Sequence, residues 1–229
     1  DSPRVHTLRT VEDATTLRGL VTAGARRAVV LGGGFIGIEA AEALRLQGLE
    51  TSVVELSPHV LPPFESELAH LITEELTGLG IAVHDGVGAE AIEPGVGHDT
   101  VVLADGTRIE ADLIVLSVGV RPDTEVFGAA GITLERGAIV VDDHGRTSAP
   151  QVWAVGDAVL STCAVTGIRR PFALAGPANR AGRLIADDIF TPEIARPMPR
   201  PLGTAIVRIG ELTAASTGVN KATLQAAGI

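Results

Sequence analysis

Apolar residues along the chain alternate between short strand-like runs and longer stripes at helical spacing, the pattern of an α/β protein. Residues 5–8 predict a short entering strand, and Thr10 followed by Glu12 and Asp13 predicts a helix start, with a hydroxyl cap and acids in the first turn. That helix carries Leu17, Leu20 and Val21 on one face and stops at Gly24. Residues 28–31 form an unbroken apolar run suited to a parallel strand buried on both faces. The helix after it is expected to bury Ile36, Ala40, Ala43, Leu44 and Gln47 and to end at Gly48. Phe64, Leu68, Leu71, Ile72, Leu76 and Leu79 recur at helical spacing, predicting a second crossover helix before a strand at 81–84. Short strands follow at 89–92, 100–104 and 107–110, the last two joined by the hairpin signal Asp105-Gly106. A buried strand at 113–118 closes this part, and Pro122 marks the exit from the sheet.

Beyond Asp123 the texture changes. A short helix at 126–130, a strand at 138–141 and a turn at 142–145 precede a strand at 152–155 that ends in Gly156-Asp157. Residues 175–190 predict a helix with an unusually small-residue beginning. Pro192, Pro197, Pro199 and Pro201 make the next stretch a stiff linker. Strands at 203–209 and 212–216 and a helix at 221–227 end the chain, too little for an independent domain.

Residues 26–56 carry the most specific chemistry. Gly32, Gly34 and Gly37 supply the G-x-G-x-x-G spacing between a strand and a helix, and Glu55 ends the next strand. Gly32 permits a tight turn, Gly34 lets bare backbone approach a pyrophosphate, and Gly37 lets helix and strand close together. The free N–H groups at the helix start then face negative phosphates. A carboxylate at Glu55 accepts hydrogen bonds from ribose hydroxyls and repels a 2′-phosphate. No Lys or Arg occurs between Leu46 and Thr107, so NADH is favoured over NADPH, although His59 is a base able to assist a phosphate.

Composition narrows the partners. A net charge of −10 argues against nucleic acid, which requires clustered Lys and Arg. No apolar run is long enough to span a membrane, so no membrane partner is expected. The single cysteine, Cys163, excludes an internal disulfide framework and fits a reducing cytoplasm. With no CxxC partner and no adjacent charge, its thiol reads as inert. The six histidines show no metal-ligand spacing, and no metal is expected. From composition alone Glu39 reads as a solvated helix residue, and Gly156-Asp157 as a turn with an Asx cap.

Three segments together resemble the FAD-dependent pyridine nucleotide–disulfide oxidoreductases: residues 26–56, Leu116-Ser-Val-Gly-Val-Arg-Pro-Asp123, and Val152-Trp-Ala-Val-Gly-Asp-Ala158. Leu174-Ala-Gly-Pro-Ala-Asn-Arg-Ala-Gly-Arg183 and Thr213-Ala-Ala-Ser-Thr-Gly218 resemble its single-cysteine branch, which holds coenzyme A-disulfide reductases, NADH oxidases and NADH peroxidases. The resemblance implies a Rossmann-like NAD-binding domain at 8–121 with an antiparallel β insert, the C-terminal half of an FAD domain at 122–198, and the beginning of a dimerisation domain at 199–229. It implies NADH contacts at Gly32, Gly34, Phe35, Ile36, Gly37, Glu39, Glu55 and Gly119, with Glu39 near the nicotinamide amide. FAD contacts are implied at Gly156, Asp157, Leu174 and Ala175.

On this template hydride passes from NADH to FAD and on to a disulfide, persulfide, peroxide or oxygen acceptor, in a cytoplasmic homodimer acting on small molecules. The first FAD fingerprint and the redox cysteine are expected upstream of Asp1, and Cys163 is not at that position. The chain therefore reads as a fragment, without a catalytic residue of its own and inactive alone. A ferredoxin- or rubredoxin-type reductase shares the NAD and Gly-Asp motifs and is an alternative. A non-catalytic NADH-sensing module is another, but it gives no purpose to the Gly-Asp and Leu-Ala-Gly-Pro-Ala-Asn segments.

Overall fold

A computed structural model describes residues 2–229. They divide into two units, the residues up to Val120 with Ile206–Ala214, and Arg121–Ala205 with Ala215–Ile229.

In the first unit, β1 (Val5–Thr7), α1 (Val11–Thr22), β2 (Arg27–Leu31), α2 (Phe35–Leu46), β3 (Glu50–Glu55), α3 (Ser66–Gly78) and β4 (Ile81–Asp85) alternate along the chain. Then come β5 (Ala89–Glu93), β6 (Asp99–Leu103) and β7 (Arg108–Ala111), followed by β8 (Leu113–Leu116). The parallel sheet has the order β1-β8-β2-β3-β4, and β5-β6-β7 form a separate antiparallel sheet. This is the expected α/β class with its antiparallel insert. Alternation along β2 sorts the two faces: Ala28 and Val30 pack with Ile38, Leu44, Ile72 and Leu76 of the helices. Val29 and Leu31 pack instead with Val101, Leu103 and Ala111 of the insert. Both faces are covered, which is why these strands read as continuous apolar runs. Helix α1 starts in a capping box: Thr10 Oγ1 accepts from the Asp13 amide at 3.1 Å and Asp13 Oδ2 accepts from the Thr10 amide at 2.9 Å.

The second unit contains α4 (Glu125–Ala129), the short pairs β9 (Leu134–Glu135) with β10 (Ala138–Ile139) and β11 (Ser161–Thr162) with β12 (Arg169–Arg170), and the long helix α5 (Ala175–Phe190). The strands β13 (Ala205–Ile209) and β14 (Leu212–Ser216) then pair with each other, and α6 (Lys221–Ala226) follows. The tip of this hairpin belongs to the first unit, where Val207 and Ile209 are buried in the helix-side core. Its turn is held by carboxylates of two helices: the Gly210 amide donates to Glu42 Oε1 at 2.8 Å and the Glu211 amide to Glu75 Oε1 at 3.0 Å.

Three expectations are corrected. On α2 the buried residues are Gly37, Ile38, Ala40, Ala41 and Leu44, while Ile36, Ala43 and Gln47 are exposed. Gly37 must lie on the strand side, and the buried stripe follows it at i+3, i+4 and i+7. On α3 the inward stripe is Ala69, Ile72 and Leu76, which leaves Leu68 and Leu71 half-exposed on its flank. The expected strand at 152–155 does not form: apart from a single bridge between Trp153 and Arg146, it has no neighbouring strand among the described residues. Two backbone bonds join it to 145–147, where the Thr147 amide donates to the Val152 carbonyl and the Ala154 amide to the Gly145 carbonyl, each at 2.9 Å, and the ladder goes no further.

Candidate functional site

In the parallel sheet Leu31 sits beside Val54 on one side and Leu116 on the other, so β2, β3 and β8 end level with one another. The residues that follow, Gly32, Glu55 and the 117–119 turn, therefore meet at one sheet edge. Chain connections diverge there, and α/β sheets open a ligand crevice at such a point.

The turn from β2 to α2 is built so that only glycine fits at two places. Gly32 has φ +109°, and a Cβ on it would lie 2.2 Å from the Ser117 carbonyl oxygen. A Cβ on Gly37 would lie 1.9 Å from the Gly32 carbonyl oxygen. Gly34 is different: its Cβ position is open, with no atom within 4 Å. That open side lies at the start of α2, whose N-cap is Gly34 and whose first turn carries no side-chain cap. The first-turn N–H groups of an uncapped helix suit an anion.

Glu55 is buried, and its two carboxylate oxygens have separate tasks. Oε2 accepts from the Gly33 amide at 2.6 Å and Oε1 from the Ser57 amide at 2.7 Å. The acid at the end of β3 thus pins both the glycine turn and the loop after its own strand, and spare lone pairs remain on each oxygen. The Leu61 amide closes the same loop on the Gly33 carbonyl at 2.8 Å. Of the other residues expected here, Phe35 packs against Phe64 with ring centroids 6.4 Å apart, and Ile36 is exposed. Glu39 is exposed one turn along α2. Gly119 has φ +103° and nothing within 4 Å of its Cβ position.

Gly33, Ser57 and Ser117 were not anticipated. The run Gly32-Gly33-Gly34 hinted at the first, since a Cβ on Gly33 would meet Val60 at 2.9 Å and Glu55 at 3.0 Å. Ser57 and Ser117 contribute backbone, which leaves no mark on residue type.

In the second unit, Gly156 has φ +87°, and a Cβ on it would stand 3.9 Å from Ala178 in the first turn of α5. The Gly156-Asp157 turn and the α5 start, with Leu174 as its N-cap and Ala175 as its first residue, are thus brought close together. Gly156, Phe172 and Gly176 line a cavity of about 430 Å³, and Asp157 is exposed beside it. The other end of α5 is anchored by Asp188, which is buried. Its carboxylate accepts from Trp153 Nε1 at 2.9 Å and from Arg146 Nε and Nη2 at 2.9 and 2.7 Å, with His144 Nδ1 3.2 Å away. The Trp153 bond, with Arg146 and His144, holds this carboxyl below its usual range against the effect of burial.

Cys163, expected to have no charge beside it, is buried within reach of one. Burial pushes its pKa up, but hydrogen bonds at Thr166 and Val165 and the charge of Arg170 bring it below the ordinary value. Arg170 is seven residues away and reaches the thiol only through the β11–β12 hairpin. Among the described residues no group of three or more His, Cys, Asp or Glu could hold a metal, and no helix is long and apolar enough to cross a membrane.

A parallel sheet with helices on one face, an antiparallel insert on the other and a glycine turn at its edge is an α/β fold of the Rossmann type. The profile of the pyridine nucleotide-disulphide oxidoreductases matches residues 1–182, and the chain belongs to that family. It is 33% identical over 223 residues to an NADH oxidase of Methanocaldococcus jannaschii, covering 96% of this chain and 49% of the relative. Among solved structures, an NAD-dependent persulfide reductase from A. fulgidus superposes with a TM-score of 0.95 at 34% identity, over the whole of this chain and 43% of that one. The water-forming NADH oxidase of Lactobacillus brevis bound to NADH gives a TM-score of 0.92 at 25% identity, over the whole of this chain and 50% of that one. An engineered NADPH oxidase made from it, bound to NADPH, matches with a TM-score of 0.88 at 25% identity, over the whole of this chain and 50% of that one. Its substitutions include an Asp changed to Ala, the next residue changed to Arg, the one after to Ser, and a Pro seven positions beyond the Asp changed to Arg. The chain spans about half the length, or less, of the relatives it matches.

Proposed function

We propose that the first unit binds NADH at its glycine turn and that the second holds part of an FAD. In the whole protein, hydride then passes from NADH to FAD and on to a disulfide, persulfide, peroxide or oxygen acceptor. The observation that carries this reading is the placement of Glu55: a buried carboxylate beside a turn in which Gly32 and Gly37 are sterically obligatory and Gly34 is open.

The cradle fits a dinucleotide. Pyrophosphate would lie against the bare backbone of Gly34, Phe35 and Ile36 at the α2 start, and the spare lone pairs of Glu55 would accept from the ribose hydroxyls. Gly119 offers unobstructed backbone on the β8 side, and Glu39, exposed one turn along α2, is able to accept from a carboxamide. In the second unit Gly156 and Asp157 with the uncapped α5 start at Leu174 and Ala175 present a turn, a carboxylate and free amides to an FAD. When bound, NADH supplies a hydride and FAD accepts it; the protein's part is to fix their orientation and exclude water. The domain reading that goes with this is an NAD domain at 8–121, a partial FAD domain at 122–198 and the opening of a dimerisation domain at 199–229, in a cytoplasmic homodimer.

Preference for NADH is supported by a spacing. Glu55, Leu56, Ser57 and Pro62 stand in the same relative positions as four of the five changes in the engineered oxidase bound to NADPH. Serine is already present at 57, whereas neither arginine is. Calorimetric titration of the chain with each nucleotide tests the reading: NADH is expected to bind at least about tenfold more tightly than NADPH. The triple change Glu55→Ala, Leu56→Arg, Pro62→Arg is expected to reverse the order. Equal or tighter binding of NADPH by the unaltered chain, or no binding of either nucleotide, overturns it.

A further inference from the structure

A second cavity in the second unit, of about 600 Å³, is lined by Arg180, Arg183, Leu184, Asp187, Arg196 and Pro197. It shares only Arg180 and Pro199 with the cavity beside Gly156 and takes no part in the reading above. Arg180 and Arg183 are three apart on α5 and so share one side of the helix. Arg196 comes from the proline-rich segment on the opposite wall, whose course is set where the Met198 amide donates to the Asp143 carbonyl at 2.7 Å. Three guanidinium groups thus face one opening against one carboxylate, Asp187.

None of the three is neutralised by its surroundings. Among the described residues no carboxylate pairs with Arg180, Arg183 or Arg196, and Arg183 Nη2 donates only to Asn179 Oδ1 at 3.1 Å. Among the other arginines, Arg4, Arg27, Arg108, Arg146, Arg169 and Arg208 have acidic partners, and the rest stand apart from one another along the sequence except for Arg26 and Arg170, each beside a paired arginine. A protein with a net charge of −10 has carboxylates to spare. Three arginines against one carboxylate around a single hollow are nonetheless a local excess of positive charge. Planar guanidinium forks match phosphate oxygens in bidentate geometry, and converging walls concentrate their field.

We propose that this cavity binds the phosphate group of a small phosphorylated molecule, with Arg183 and Arg196 closing on it from opposite walls. Calorimetric titration of pyrophosphate, and separately of inorganic phosphate, into the NADH-saturated chain at low salt tests this. Saturation with NADH keeps the glycine turn from contributing. One site is expected, weakened at least tenfold by Arg196→Ala and by Arg183→Ala and partly restored in Arg196→Lys, while Arg136→Ala, away from the cavity, binds as the parent does. Pyrophosphate binding much tighter than phosphate assigns the site to a diphosphate-bearing molecule; equal binding assigns it to a free or terminal phosphate. Absence of binding, indifference to both arginine changes, or equal weakening by Arg136→Ala overturns the proposal. If the chain fails to bind NADH, the response to Arg183→Ala and Arg196→Ala still decides the matter, because neither residue touches the glycine turn.

Discussion

The first unit buries Val30, Ile38, Leu44, Val53, Ile72, Leu76, Leu113 and Ile209 in one helix-side core and has a second core under its antiparallel insert. In the second unit the apolar cluster is Ile132, Ile139 and Val159, and its long helix is fastened instead by the polar hub at Asp188. Charge divides the same way. The first unit carries 19 carboxylates against 8 arginines, while the second carries 9 carboxylates against 10 cations. Buried apolar area is the dominant stabilising term, so the first unit should resist opening and the second should open first. What separates them is how they hold a ligand turn in place. One relies on close-packed backbone over a large core, the other on a few directional hydrogen bonds.

The sharpest way to break this comparison is through the hairpin that the first unit borrows from late in the chain. Ile209 is fully buried in the helix-side core. Ile209→Ala is expected to cost about 2–5 kcal/mol, and Ile132→Ala, in the thinner cluster, about half as much. Denaturant unfolding followed by amide exchange reads both. Loss of protection in β2 and β3 on Ile209→Ala, with the second unit unchanged, is the expected signature. Loss confined to the hairpin would show that Val207 and Ile209 merely cover the core rather than complete it.

A second test sets two glycines of one motif against each other. Gly37→Ala forces a Cβ against the Gly32 carbonyl oxygen, so the helix must withdraw from the strand. NADH binding is expected to fall at least about a hundredfold, or some 3 kcal/mol. Gly34→Ala meets no protein atom, so stability is expected to change by less than about 1 kcal/mol while nucleotide binding still weakens. If Gly34→Ala binds NADH unchanged, the open space beside it is not where the pyrophosphate lies.

The same contrast explains what was legible beforehand. Residues whose type is dictated by backbone geometry or periodicity could be read directly: the Gly32–Gly37 turn, the Thr10 cap, and α5 to the residue at both ends. What could not be read was set by partners distant in the chain. The phase of α2 follows from Gly37 docking on Gly32, and 152–155 pairs with 145–147 through one bridge only. The thiol of Cys163 answers first to hydrogen bonds at Thr166 and Val165 and only then to Arg170 across a hairpin. Glu55 was legible as an acid facing a nucleotide, but its grip on the Gly33 and Ser57 amides was not, because main-chain donors are alike in every residue.

Acid offers a smaller and unit-specific probe. Asp112 accepts from the amides of Arg26 and Arg27 at 3.0 Å each and pairs with Arg27 Nη2 at 2.7 Å. The Arg27 guanidinium, aided by those amides, lowers its pKa from 3.8 to about 2. A carboxyl depressed on folding stabilises the protein above its unfolded value and loses that contribution as pH falls toward the folded one. Stability of the first unit is therefore expected to drop by roughly 2 kcal/mol between about pH 4 and pH 2 on account of this group. In Asp112→Asn the fall over that window should be shallower by the same amount. An unchanged slope in urea titrations of the variant would remove Asp112 from the account.

The smallest effect tests the polar hub by itself. Trp153 is the only tryptophan in the chain, and its indole N–H donates to Asp188 Oδ2. Trp153→Phe keeps most of the ring's packing and deletes that one donor, while Arg146 still pairs with both carboxylate oxygens. The expected loss is about 1 kcal/mol, since a hydrogen bond to a charged acceptor is removed without leaving the charge unpaired. Asp188→Asn should cost more, because it also weakens the Arg146 pair and leaves an amide N–H₂ facing the indole donor or the guanidinium. Exchange protection along α5 should fall in both variants and stay constant in β2 and β3. If Trp153→Phe instead loosens nothing in α5, the helix is held by Ile185 and its apolar neighbours, and the contrast between a packed unit and a hydrogen-bonded one fails at its weaker end.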